Sequence, residues 1–315
     1  MSVWRCVLLG VCVCLLTGSA GVSHPIAFRN GQVVLYGDLS LPPNQTSAAP
    51  VLIIIPGGGA EDRHGNVAGA VDSAPWTHMA RLLNQAGWAV LRYDKQGVGE
   101  SAPGRKAPHN RTVGILTLSE LALDAIASVG FAALQPTIDA KQIYLFGRDE
   151  GAMIATDVAW QLGSRVRGLV VADMPPCLPW IRQWQTLELE MQKRGILGDA
   201  LKARQTEFLD ALAAIRTGAP TPAVSEEVLP AFPGVNPMYL RQLYFYDPPA
   251  HLAQVKQPTL LLMTGTSAAV HGAQDMKDWQ ALLEGGTVTI QALNAGSVAG
   301  QLATAIHQWA IKGAK

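Results

Sequence analysis

In Gly147-Arg148-Asp149-Glu150-Gly151 a guanidinium and two adjacent carboxylates sit between glycines. An apolar run at 143–146 precedes this segment and a helical pattern at 152–162 follows it, so the acids fall at a strand-to-helix turn. The N-terminus of a helix stabilises negative charge through its dipole, and Arg148 is placed to pair with one of the acids. Two carboxylates at that point disfavour an anionic ligand unless a proton or cation accompanies it. Other reactive groupings are sparse. His271 and Asp275 lie four residues apart, a spacing that suits a metal on a helix, but no third ligand joins them in sequence, and solvated side chains are the simpler reading. There is no His-Glu-x-x-His, no paired Cys-x-x-Cys and no phosphate loop ending in Gly-Lys-Ser or Gly-Lys-Thr. No cofactor and no metal is expected. Cys177 is a lone cysteine in an apolar-rich segment, the setting of an inert thiol.

The elements that must position the Asp149 turn are those of an α/β protein. Residues 51–55, 89–93, 143–146, 166–172, 259–263 and 287–292 are short apolar runs. Continuous rather than alternating hydrophobicity marks strands buried on both faces, as in a parallel sheet. Helical patterns at 76–85, 118–134, 152–162 and 299–311 separate or follow most of them, which predicts right-handed crossovers and a doubly wound sheet. Before these, Asn30-Gly31 and the alternating stretch 33–41 predict an antiparallel hairpin. Residues 178–243 break the rhythm with helical pieces at 184–194 and 201–216 and a Pro-rich portion around 220–237. That stretch is predicted to be a lid over the carboxyl edge of the sheet. Trp180, Trp184, Tyr239, Tyr244, Phe245 and Tyr246 cluster around it, most of them as core.

Composition sets the class. Apolar residues make up 49% of the 315 and charged residues 15%, enough to fill a large core. Lys plus Arg equals Asp plus Glu, 24 of each, so the charge pattern points to neither nucleic acid nor an anionic membrane. The first twenty residues carry Arg5, an apolar stretch at 6–16 and the small residues Gly18-Ser19-Ala20, the pattern of a cleaved signal peptide. A secreted or periplasmic protein is expected, with one domain over 21–315. Cys6, Cys12 and Cys14 leave with the signal, so the mature chain has no partner for Cys177.

Three further segments carry a resemblance. Pro56-Gly57-Gly58-Gly59 followed by Glu61-Asp62-Arg63-His64-Gly65-Asn66 resembles the oxyanion loop of secreted carboxylesterases in the α/β-hydrolase superfamily. Asp94-Lys95-Gln96-Gly97-Val98-Gly99-Glu100-Ser101 resembles the Asp-x-x-Gly-x-Gly-x-Ser loop after the next strand. Tyr246-Asp247-Pro248-Pro249-Ala250-His251-Leu252 resembles the exit from the lid. With the Gly147–Gly151 frame, the resemblance spans essentially the whole mature chain, and it is closest to the esterase and serine-aminopeptidase-like branch.

The resemblance implies a mostly parallel α/β-hydrolase sheet with a helical lid, and a Ser-His-acid triad that this chain lacks. Asp149 occupies the serine position of Gly-x-Ser-x-Gly, Ala268 the acid position, and Ser297 the approximate histidine position. Backbone N–H groups at Gly58, Gly59 and Glu150 are the expected oxyanion or ligand-binding donors. Aspartate is a nucleophile on this fold in dehalogenases and epoxide hydrolases, where histidine-activated water cleaves the alkyl ester. Asp173 is then a candidate acid, though it could equally cap the turn before Met174-Pro175. His64 and His271 are candidate relocated bases, which must come within about 3 Å of the reacting water. The leading expectation is a catalytically inactive pseudo-hydrolase that binds a small apolar ligand or a protein partner. The alternatives are an active hydrolase with Asp149 as nucleophile and a degenerate copy without a biochemical role.

Overall fold

The structure, a computed structural model, describes residues 21–67, 73–102, 116–234, 236–264, 273–283, 288–293 and 298–313. Within them β1 (Val22–Asn30) and β2 (Val33–Leu41) form the predicted hairpin, and Gly31 takes φ 57° at the turn. Six further strands follow: β3 (Ala49–Ile55), β4 (Ala89–Tyr93), β5 (Ile138–Arg148), β6 (Gly168–Ala172), β7 (Thr259–Met263) and β8 (Val288–Ala292). The sheet order is β1-β2-β4-β3-β5-β6-β7-β8, antiparallel through β2–β4 and parallel from β4 onward. The strand-order reversal beside β3 puts the carboxyl ends of β3 and β5 at a crevice, where open α/β sheets bind ligands.

Helices cover both faces. On one, α2 (Leu118–Ala133) and α3 (Glu150–Leu162) bury Leu121, Ala125, Val129, Ala155 and Val158 against the sheet. On the other, α1 (Pro75–Gln85) and α9 (Val298–Gly313) bury Trp76, Met79, Leu83, Leu302 and Ile306. Local sequence fixes their starts: Thr117 and Glu120 close a capping box on α2, and Pro75 opens α1.

Two strand boundaries differ from the sequence reading. β5 begins at Ile138 rather than near 143, because Ile138 pairs with Ala49 across an irregularity that the polar 139–142 stretch hides. β6 begins at Gly168 rather than 166, because a 3₁₀ turn at Gly163–Arg165 consumes the preceding residues.

Between β6 and β7 lie α4 (Pro179–Lys193), α5 (Gly198–Thr217), α6 (Pro237–Tyr244) and the single-turn α7 (Pro248–Leu252). α4 and α5 start earlier than their apolar periodicity suggests, α4 at Pro179 in its first turn and α5 at Gly198. The insertion has its own core. Trp184 meets Phe208 at 5.3 Å between ring centroids, Phe208 meets Phe232 at 5.3 Å, and Phe232 meets Tyr244 at 6.1 Å. α8 (Ala273–Leu282) precedes β8. No helix among the described residues is long and apolar enough to cross a membrane.

Candidate functional site

The site is built on the β5–α3 turn. Asp149 stands between strand and helix at φ 51°, ψ −118°, a conformation sparsely populated by any L-residue. Its backbone is held from both sides, donating to Ala172 O at 3.0 Å and accepting from Ala152 N at 3.1 Å. The two glycines of the frame are required by close approach. A Cβ on Gly147 would run into the carbonyl of Gly151, and one on Gly151 would lie 2.6 Å from Ile55 O. Strand, turn and helix are therefore compressed around one side chain, which is 43% exposed above the sheet edge.

What surrounds that side chain is a clamp of charges. Arg148 Nε lies 3.6 Å from Asp149 Oδ2 and donates to Asp173 Oδ2 at 2.8 Å. Asp173 is fully buried at the end of β6, with φ 52°. Its remaining acceptor capacity is used by Thr264, whose N–H donates at 2.8 Å and whose hydroxyl donates at 2.6 Å. The structure thus brings Asp149 and Asp173 together through one guanidinium and ties the end of β5 to the ends of β6 and β7.

The oxyanion-type loop after β3 approaches from the other side. Glu150 Oε2 accepts from the Tyr239 hydroxyl and lies 3.1 Å from the point where a Cβ on Gly58 would sit. The Tyr239 phenol is pushed far above its ordinary pKa, first by burial and then by the Glu150 charge, so it stays a donor. Glu61 is partly buried behind the loop, accepting from Trp76 Nε1 at 2.7 Å and from the Gly57 N–H. Burial raises its pKa against those hydrogen bonds and against the charge of Lys95, and the nearby charge of Asp149 raises it further. Lys95 donates to Gly57 O. The expected donors at Gly58, Gly59 and Glu150 thus share their corner with two carboxylates, a crowding that the glycine pattern does not reveal.

The histidine positions complete the inventory. His64 is in the predicted loop, but its ring Nδ1 lies 3.0 Å from Thr77 Oγ1, and Thr77 accepts from Arg92 at 2.5 Å, so its contacts run toward α1 and β4. His307 accepts from Trp88 Nε1 at 3.1 Å. His251 pairs with Asp157 at 2.7 Å, between α7 and α3. Ala268, His271 and Ser297 lie outside the described residues. Asp275 forms a buried ion pair with Arg182 of α4, a contact that four-residue spacing could not foretell. Among the described residues no group of three or more His, Cys, Asp or Glu could hold a metal ion. Cys177 is half-buried, and burial pushes its thiol up.

Above the Asp149 turn, α4 and α6 of the insertion close a cavity of about 150 Å³. Asp149, Glu150 and Asp173 border it below, Arg182 and Thr186 of α4 and Leu243 of α6 above. Sequence reasoning found the acids of this cavity and Arg148 as a partner of one of them, but missed the Arg148 bond to Asp173 and missed Thr264 and Tyr239 as partners. The Arg148 pairing has a local signal, a cation inside the glycine frame.

A sharp glycine-framed turn at the carboxyl edge of an eight-stranded sheet, with a helical insertion after β6, invites comparison with known proteins. The family described as alpha/beta hydrolase fold matches residues 50–214. The chain belongs to that family. Structures similar to this α/β-hydrolase include Est1E from Butyrivibrio proteoclasticus, at 14% identity and a TM-score of 0.57 over 94% of this chain and 100% of that one. A dienelactone hydrolase from Anabaena variabilis is similar at 15% identity and a TM-score of 0.55, covering 93% and 99%. A proline iminopeptidase from Mycobacterium smegmatis is similar at 15% identity and a TM-score of 0.57, covering 92% and 97%. At such identities the likeness is one of fold. Comparison with curated protein sequences gives no match.

Proposed function

We propose that this α/β-hydrolase is an exported, non-hydrolytic member of its family that uses the cavity over the Asp149 turn to bind a small ligand. The observation that carries the reading is the Arg148 guanidinium held between Asp149 and the buried Asp173. A carboxylate that attacks carbon needs free electron density and a histidine to hydrolyse the ester it forms. Asp149 has a permanent cation beside it instead, and the sequence holds no histidine between Thr287 and Ile306. Acyl transfer lacks its serine, since Asp149 stands at the centre of the Gly147–Gly151 frame. Export is supported by the Arg5 and 6–16 pattern followed by Gly18-Ser19-Ala20.

The test is turnover of short acyl esters, haloalkanes and epoxides by the purified protein, with Asp149→Asn and Asp149→Ser beside it. No turnover is expected from any of the three. Asp149→Ser restores only the nucleophile, while Ala268 and Ser297 still stand at the acid and base positions. Wild-type turnover that disappears in Asp149→Asn overturns the reading and makes Asp149 the nucleophile.

A further inference from the structure

A second concavity lies at the opposite edge of the sheet from the Asp149 turn. It runs past the end of α3 and the segments that enter β6 and β7, with Trp160, Ser164, Arg167, Gln254, Lys256 and Pro258 along it. Gln257 fixes its shape. That side chain is 7% exposed, and its Nε2 donates to the carbonyls of Ala159, at 2.8 Å, and of Gly163. The same bonds occupy carbonyls at the negative end of α3, where bare ones would repel an anion.

Two observations describe what this groove can hold. Trp160 is 52% exposed, and no other aromatic side chain among the described residues is exposed. An indole left in water offers an apolar face on which another ring can stack. The charge along the groove is of one sign. Arg167 and Lys256 border it, no carboxylate does, and neither cation forms an ion pair among the described residues. Arg167 also reaches the Tyr144 hydroxyl, which carries no charge to offset it.

We infer that this groove binds a small aromatic anion, its ring on Trp160 and its carboxylate or phosphate at Arg167 and Lys256. A guanidinium and an ammonium both donate charge-assisted hydrogen bonds to such a group. An organic cation would add a third positive charge, and an inorganic anion would leave the indole face in water. The groove measures about 600 Å³, within the roughly 300–1,000 Å³ of small-molecule pockets, so a ring and its acid group fit together. The site is separate from the cavity over the Asp149 turn, and the inference stands whether or not that cavity is used.

The test is calorimetric titration of the full protein with phenyl phosphate, phenol, inorganic phosphate, benzylamine and pentaglutamate at equal ionic strength. Phenyl phosphate is expected to bind at least about tenfold more tightly than each of the others. Trp160→Ala and Lys256→Gln should each weaken it by at least about threefold. Both side chains are exposed, and thermal denaturation checks that the variants remain folded. Phenol, inorganic phosphate or benzylamine binding as well as phenyl phosphate would overturn the inference. Pentaglutamate doing so would overturn it in favour of an acidic protein partner. Phenyl phosphate binding that neither substitution weakens, or no binding at all, would overturn it as well.

Discussion

Two corners at the same edge of the sheet, one after β4 and one after β5, have been treated in opposite ways. After β4 the loop keeps both its backbone shape and the side chain that makes it. Asp94 is 2% exposed and accepts from Arg63 N at 2.9 Å and Glu100 N at 3.0 Å. Arg63 in turn reaches Asp38, Asp94 and Glu100. After β5 the glycine frame and the strained φ survive, while the residue that frame presents is an aspartate clamped by Arg148. At the first corner a buried carboxylate holds the loop backbone from within, and at the second two glycines and a strained backbone present a half-exposed carboxylate to the cavity.

Substituting the same residue type at the two corners should therefore give unequal costs. Asp94→Ala removes the buried side-chain acceptor of two part-buried backbone N–H groups and is expected to lower stability by about 1–3 kcal/mol in urea denaturation. Burial raises the Asp94 pKa, against its two N–H donors and the charge of Arg63. Asp94→Asn, which keeps an acceptor, should cost clearly less. Asp173→Asn unbalances the buried clamp on Arg148 and Thr264, and a loss of about 2 kcal/mol is expected. Asp149→Asn should change stability by no more than about 0.5 kcal/mol, because its ion pair is long and half-exposed. Equal losses at Asp94 and Asp149 would break the comparison.

The smallest expected effect lies away from both corners, at His251. Its pKa is raised, chiefly by the hydrogen bond to Asp157 and further by the charges of Asp157 and Asp247, against burial. A folded value above the unfolded one of about 6.5 means that this stabilisation is complete below pH of about 6.5. It is lost as pH rises through the folded value. The urea midpoint should show this component, worth about 0.5 kcal/mol or less for so exposed a pair, and Asp157→Asn should abolish it.

The same contrast explains what the sequence makes legible. Continuous apolar runs and Asn30-Gly31 disclose the sheet and its hairpin, because burial on two faces and a tight turn each demand a particular composition. Gly147 and Gly151 disclose the β5–α3 turn for the same reason: no larger residue fits. Partnerships across long sequence separations leave no such mark. Thr264 is 91 residues from Asp173, and Tyr239 is 89 from Glu150. Arg182 is likewise 93 from Asp275, so packing of the insertion on the sheet decides these contacts. The periodicity of 184–194 and 201–216 shows that the insertion is helical, but its aromatic core joins residues from three separate helices and a 3₁₀ turn.

The central claim is that Asp149 forms no covalent intermediate, and intact-protein mass after exposure to short acyl esters, haloalkanes and epoxides tests it most directly. With no histidine between Thr287 and Ile306 in the sequence, an alkyl ester formed on Asp149 from a haloalkane or epoxide is expected to accumulate rather than turn over, so the mass reads attack itself. The expected result is an unchanged mass with every substrate. An adduct that maps by peptide analysis to Asp149, and is absent in Asp149→Asn, would contradict it.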